Sequence, residues 1–520
     1  MNELFEIVQL IKAGKITFPH KIIPSKDFFG DKTYQFYKGL ESGKYSSDEQ
    51  AREDLYGLDR TKANHVSHAK FNVLKKRLKE RLFLNVLFPV EGQYPADGYQ
   101  ASFLFCNRNY IISRLMIFFG ATLSGYKLMR KVLDKAEKYQ IYEIAQLSAN
   151  SLLRDAVQSG NQKQFKLYRA KLKEFQKVYS AETEADGLYY QLLIPFAKQL
   201  YVRVGTLEHV HSAMKAIENL YNEFKTHKLF LSLSNIQILY YQVKGENRNA
   251  IDICNQTLRY LESEKIAFSQ VRMSNYMLLK MDAMLALRNY DLSAAYAKEC
   301  IERYPEGSSG WFDAHELQFL CCINTSPLTD SNQNVTQKLN EASGIYLTCT
   351  SSKYFKVLKP AKQERWQIFG GYLWFLCTYY TETGILNEVF QDIPKFRLSK
   401  LINSTKIASM DKKGMNVSLL VLQFLICLQE RKSMDLLKSV ESIKYYISDN
   451  LRGEVIRERT FLKYLVALGE NELGAIKNSG RITKIVSALD KTEDTLTPTQ
   501  AQTEIISYRL LTDLLKSKYK

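Results

Sequence analysis

Between residues 65 and 88, apolar side chains recur at spacings of three and four: Phe71, Leu74, Leu78, Leu82 and Val86. That spacing puts all five on one face of an α-helix and leaves the cations of KKRLKER for the other faces. The long helix belongs to an opening helical module, residues 1–95. Helical patterning also runs over 2–13 and around 31–40. Ser46-Ser47-Asp48-Glu49 opens a short helix with Ser47 as its N-cap, and Gly57 ends it. Leu58 to Asn64 is a polar turn. Pro89 closes the long helix, and EGQYPADGY follows as a linker.

Over 100–305 the same periodicity resolves into helix pairs: 101–122 with 124–138, 141–158 with 162–179, 186–203 with 206–226, 228–244 with 247–263, and 268–287 with 291–304. Gly160, Gly205 and Gly245 mark turns within pairs, and Pro195 predicts a kink or break in its helix. Residues 306–365 carry two loop signals, PEGSSG and NTSPLTDSNQN, and read as an irregular insertion or linker. Helical repeats resume over 366–520, with helices at 416–431, 433–449, 454–468 and 470–489 and a last one at 498–518; Thr492 to Pro498 is a connector. No segment alternates at period two. The fold class is all-α, a stacked array that buries its core between neighbouring pairs and leaves a long face open to another chain.

Composition sharpens this picture. The chain has 520 residues, too many for one ordinary core. Hydrophobic residues reach 45%, which excludes disorder, and only 10 prolines and 24 glycines favour helices over short strands. The longest apolar run, Leu419 to Leu428, is too short to cross a bilayer, so no membrane span is expected. MNELFEIVQLIKAGK lacks a signal-peptide pattern, and eight cysteines without a C-x-x-C pair suit a reducing compartment; the expected location is cytoplasmic. The net charge of +17 is spread along the chain and would attract acidic partners.

The fourth and fifth pairs resemble the tetratricopeptide repeat (TPR). Tyr241 matches the aromatic of the first helix, Gly245 the turn glycine and Ala250 the small residue of the second helix, with Cys254 and Thr257 at later small positions. In the fifth pair Ala297, Cys300 and Pro305 match, but Arg288 replaces the turn glycine and Ser293 the usual alanine. The chain is also similar to a set of uncharacterised helical proteins typical of Bacteroidetes, in which a pattern like YQFYKGLESGKYSSDEQARE precedes a long basic helix. The TPR resemblance implies a right-handed α-solenoid of TPR-like helix pairs whose first helices line a concave face. Asn235, Gln242, Asn275 and Asp282 would then face the groove and hold the backbone of an extended peptide. The implied function is a non-enzymatic protein- or peptide-binding scaffold or adaptor.

The alternative is a DNA-binding regulator with a peptide-sensing repeat body. Its opening module would be a helix-turn-helix, and Lys75, Lys76, Arg77, Lys79 and Arg81 would contact phosphates. No catalytic, cofactor or metal constellation is expected. His65 with His68 and His209 with His211 lack further ligands nearby in sequence. Glu182, Glu184 and Asp186 read as a solvated loop, and the cations from Lys395 to Lys413 as a solvated connector. P-loop, G-x-G-x-x-G and G-x-S-x-G patterns are missing.

Overall fold

A computed structural model describes residues 31–45, 47–57, 64–87, 98–198, 206–264, 269–325, 332–386, 415–451, 456–474, 479–491 and 496–518, with Leu4 and Val8. The predicted helix over 2–13 apart from those two residues, most of the 58–64 turn and of the linker after Pro89, Gly205, the Lys395–Lys413 stretch, most of the Thr492 connector, and the side chains of His65 and Val86 lie outside the described residues.

Among the described residues every regular element is a helix. The opening module holds α1 (Lys32–Glu41), α2 (Asp48–Tyr56) and α3 (Asn64–Leu87). The Ser47 side chain accepts from the Gln50 amide at the start of α2, and Gly57 closes that helix at φ 77°. Phe71, Leu74, Leu78 and Leu82 of α3 are buried against α1 and α2, as the stripe predicts. This module shares one contiguous buried cluster with the C-terminal half of the chain.

The next helices are α4 (Tyr99–Phe118), α5 (Thr122–Lys138), α6 (Tyr142–Gln158), α7 (Gln162–Lys198), α8 (Thr206–Phe224), α9 (His227–Lys244), α10 (Asn247–Ser263), α11 (Gln270–Ala286) and α12 (Tyr290–Arg303). Then come α13 (Ser309–Asn324), α14 (Asn332–Ser351), α15 (Pro360–Glu382), α16 (Met415–Gln429), α17 (Ser433–Asn450), α18 (Ile456–Glu472), α19 (Ser479–Asp490), α20 (Pro498–Thr503) and α21 (Tyr508–Lys518). From α4 to α19 each helix packs on the next in sequence. Much of the burial therefore comes from nearest-neighbour stacking, joined by contacts between helices remote in sequence. No helix among the described residues is long and apolar enough to cross a membrane, and the eight cysteines are buried and free.

Four expectations are corrected. Residues 162–198 form one helix of 37 residues, without the predicted break near 180 and running past Pro195 to Lys198. Ala181 and Ala185 pack fully inside against α8 and α9, so the acid-rich stretch is helical and not a solvated loop. Glu182 is itself buried and accepts from the Thr226 hydroxyl at 2.9 Å, and Asp186 pairs with Lys228 at 2.8 Å. Second, the described residues of 306–365 are largely helical. They carry α13 and α14, and α13 is buried on nearly every face by Trp311, Phe312, Phe319 and their neighbours. A helix buried on nearly every side, with His315, Glu316 and Gln318 among its buried residues, gives little amphipathic signature. Third, the helix predicted over 470–489 is two helices, since α18 ends at Glu472 and Gly474 adopts φ 72°. Fourth, the helix predicted over 498–518 is interrupted at 504–507.

Candidate functional site

The four predicted groove residues sit on two helices. Asn235 and Gln242 are half-buried on α9, and Asn275 and Asp282 lie on α11. The Asn235 carbonyl oxygen accepts from the Tyr276 hydroxyl at 2.8 Å, and that of Asn275 accepts from the Tyr304 hydroxyl at 2.9 Å. Each amide is thus engaged by a tyrosine from elsewhere in the chain, Tyr276 of α11 and Tyr304 just after α12.

On α3, Lys75 pairs with Asp48 at 2.7 Å, Arg81 with Asp31 at 3.4 Å, and Lys76 lies 3.9 Å from Glu80. Lys79 sits over the Phe83 ring, and Arg77 is exposed. His68 contacts Arg52, and His211 packs beside Tyr240. Among the described residues no three His, Cys, Asp or Glu side chains come close enough to hold a metal ion.

What does converge is a set of polar side chains from five places in the array. All of them hold the chain's own segment 496–507. Asn247, at the start of α10, is buried and donates to the Leu496 carbonyl at 2.8 Å. Asn324, the last residue of α13, donates to the Ile505 carbonyl at 2.7 Å and accepts from the Ser507 amide at 2.7 Å. Its amide therefore grips both backbone polar groups of a non-helical stretch. Ser418 of α16 donates to the Thr503 carbonyl at 2.8 Å. α20 packs on α11 and α16, so this segment crosses helices remote from it in sequence.

The charged centre of this contact is Glu504. Its carboxylate has no exposure and lies 2.9 Å from Arg288 Nη2 and 3.1 Å from Arg457 Nη2, with Arg457 Nε on its other oxygen. Burial pushes the Glu504 carboxyl up, but the facing Arg288 and Arg457 outweigh it and hold the group below its ordinary value. Tyr508, just beyond, stacks on Phe461 with ring centroids 4.0 Å apart.

Arg288 occupies the turn where a TPR carries glycine. It adopts φ 59°, the same left-handed region as Gly245 at φ 74° in the preceding pair. A side chain there costs about 1–2 kcal/mol, as it does at Gln140, Lys225 and Arg431, which take similar angles. Arg288 and Asn247 also line an open cleft of about 510 Å³ between the Gly245–Asn249 and Ala286–Arg288 turns.

Sequence reasoning missed Asn247, Asn324, Arg457 and Glu504. The available signal was one acid within an apolar stretch, TEII at 503–506, together with an arginine in a glycine position. No protein-family model, curated protein or solved structure matches the chain.

Proposed function

We propose that this protein is a non-enzymatic scaffold or adaptor, a right-handed α-solenoid of TPR-like helix pairs that binds an extended protein or peptide segment along its inner face. The observation that carries the reading is the hold on residues 496–507. Buried amides of Asn247 and Asn324 take backbone carbonyls, and two arginines take the one carboxylate. Backbone-directed amides fix a segment with little demand on its side chains, and the same chemistry suits an incoming peptide. In this reading Gln242, Asp282 and the cleft beside Asn247 and Arg288 extend that surface toward a second chain.

Photo-crosslinking tests it. A crosslinking amino acid at Gln242 or Arg248 should capture a discrete protein partner in source cells, and the same group at Lys215, on the neighbouring α8, should not. A partner captured equally from all three positions, or from none, would sink the proposal. Nucleic acid recovered through positions on α3 would instead favour the regulator.

A further inference from the structure

The three most exposed large apolar side chains among the described residues lie together at one tip. Phe118 is 80% exposed, Phe119 79% and Leu123 84%. They flank the short turn between α4 and α5, where the chain reverses over residues 119–121. Ile111 and Leu115 continue the exposed apolar strip back along α4. The fully buried positions of α4 are Ser102, Cys106, Asn109 and Ser113, with Tyr99, Phe105, Tyr110 and Ile117 packed partly against the core beside them. α4 is therefore apolar on its outward side as well, and burial within this chain does not explain the exposed strip. Because consecutive helices run antiparallel, the turn between α6 and α7 lies on the same edge. It adds Val157, which is also exposed. Arg130 of α5 reaches Asp155 of α6 at 2.5 Å and ties the two hairpins together.

The charge around these tips has one sign. Residues 98–133 contain Arg108, Arg114, Lys127, Arg130 and Lys131 and no acid. Residues 144–173 contain six cations and a single acid, Asp155, which Arg130 occupies. The next acids along α5 and α7, Asp134 and Glu174, each stand twelve residues into their helices, about 18 Å from the edge at the α-helical rise. Arg114, Lys127, Lys131, Arg154, Lys163 and Lys166 are exposed, and none has a carboxylate within 4 Å among the described residues.

We propose that this edge docks on an anionic phospholipid bilayer, with Phe118, Phe119 and Leu123 entering the headgroup–acyl boundary and the surrounding cations meeting lipid phosphates and carboxylates. Three observations choose a bilayer over other occupants. The tip side chains stand about 80% exposed, and a bilayer accepts such apolar groups without offering a matching pocket. The rim is cationic without the mixed signs of a protein interface. The apolar group includes the aliphatic Leu115, Leu123 and Val157, which have no ring face to stack on a base. Apolar insertion combined with attraction to anionic lipid is the established physics of peripheral attachment.

The test is co-sedimentation of the full chain with vesicles of phosphatidylcholine, with and without about 30% phosphatidylserine. The wild type should bind the anionic vesicles and release as salt is raised from about 0.1 to 0.5 M. The Phe118→Ser/Phe119→Ser/Leu123→Ser variant should lose at least about tenfold in partitioning, because three large apolar side chains no longer transfer. Circular dichroism should be unchanged, since all three are exposed in the free chain. Lys163→Glu/Lys166→Glu should weaken binding to anionic vesicles. In a separate variant, Phe119→Trp emission should shift to the blue on anionic vesicles only. Three results would overturn the proposal: wild type that stays in the supernatant, serine variants that bind as well as wild type, or a tip that drives self-association in ultracentrifugation without vesicle binding. Salt-sensitive binding of single-stranded RNA that ignores the serine substitutions, with no vesicle binding, would assign the cations to nucleic acid.

Discussion

Replacing Glu504 by glutamine removes one charge and almost no volume from the contact that holds the C-terminal segment. The Arg457 side chain is 4% exposed and that of Arg288 20% exposed, so in Glu504→Gln both guanidiniums keep their charge, that of Arg457 in a site that excludes water. Breaking a buried pair from one side costs about 3–5 kcal/mol, because the surviving charge is left uncompensated. Arg288 retains some solvent and glutamine retains part of the hydrogen bonding, which places the expected loss at the lower end, about 3 kcal/mol. In an array held by neighbour stacking the loss is local. Hydrogen exchange at pH 7 should therefore accelerate across 496–518, and the urea midpoint of the transition that exposes Tyr508 should fall. The sign with pH follows from the lowered Glu504 carboxyl. Its stabilisation is fully present above the ordinary glutamate value and is lost as pH falls through the lower folded value, so the two proteins converge in acid. Adding Arg457→Met to Glu504→Gln should recover part of the loss by removing the stranded charge. A variant within about 0.5 kcal/mol of wild type at pH 7, with unchanged exchange over 496–518, would refute the reasoning.

Glu182 should act in the opposite sense. Burial, stronger than its hydrogen bond from Thr226 and the nearby Lys228, raises its carboxyl from 4.5 to about 7. Its contribution is present below pH 4.5 and is lost as pH rises toward 7, by up to about 3 kcal/mol. Glu182→Gln should flatten that part of the stability–pH curve in urea titrations, and an unaltered curve would show that the carboxyl ionises freely. At Arg288, both Arg288→Ala and Arg288→Gly lose the Glu504 pair, so their difference isolates the backbone. The glycine variant should be more stable by about 1 kcal/mol because only alanine keeps a Cβ at φ 59°. Equal melting temperatures for the two would mean that the turn relaxes.

The sequence alone determined features whose causes are local. The Phe71–Leu82 stripe, the Ser47 cap, the left-handed Gly245 and the all-helical class all depend on residues a few positions apart, where spacing and backbone chemistry are sufficient. Periodicity located the cores of most helices between 99 and 303 for the same reason. Tertiary structure decided whatever rests on distant partners. Residues 162–198 are one helix because Ala181 and Ala185 find α8 and α9 and Glu182 finds Thr226, 44 positions away. The final helix breaks at 504–507 because Asn324, 183 positions from Ser507, satisfies the backbone groups that a helix would otherwise pair. Arg288, in a left-handed turn, finds the carboxylate of Glu504 216 positions later. Local propensity differs by well under 1 kcal/mol between most residues, whereas a buried acid or an orphaned amide costs several, so the distant contacts prevail.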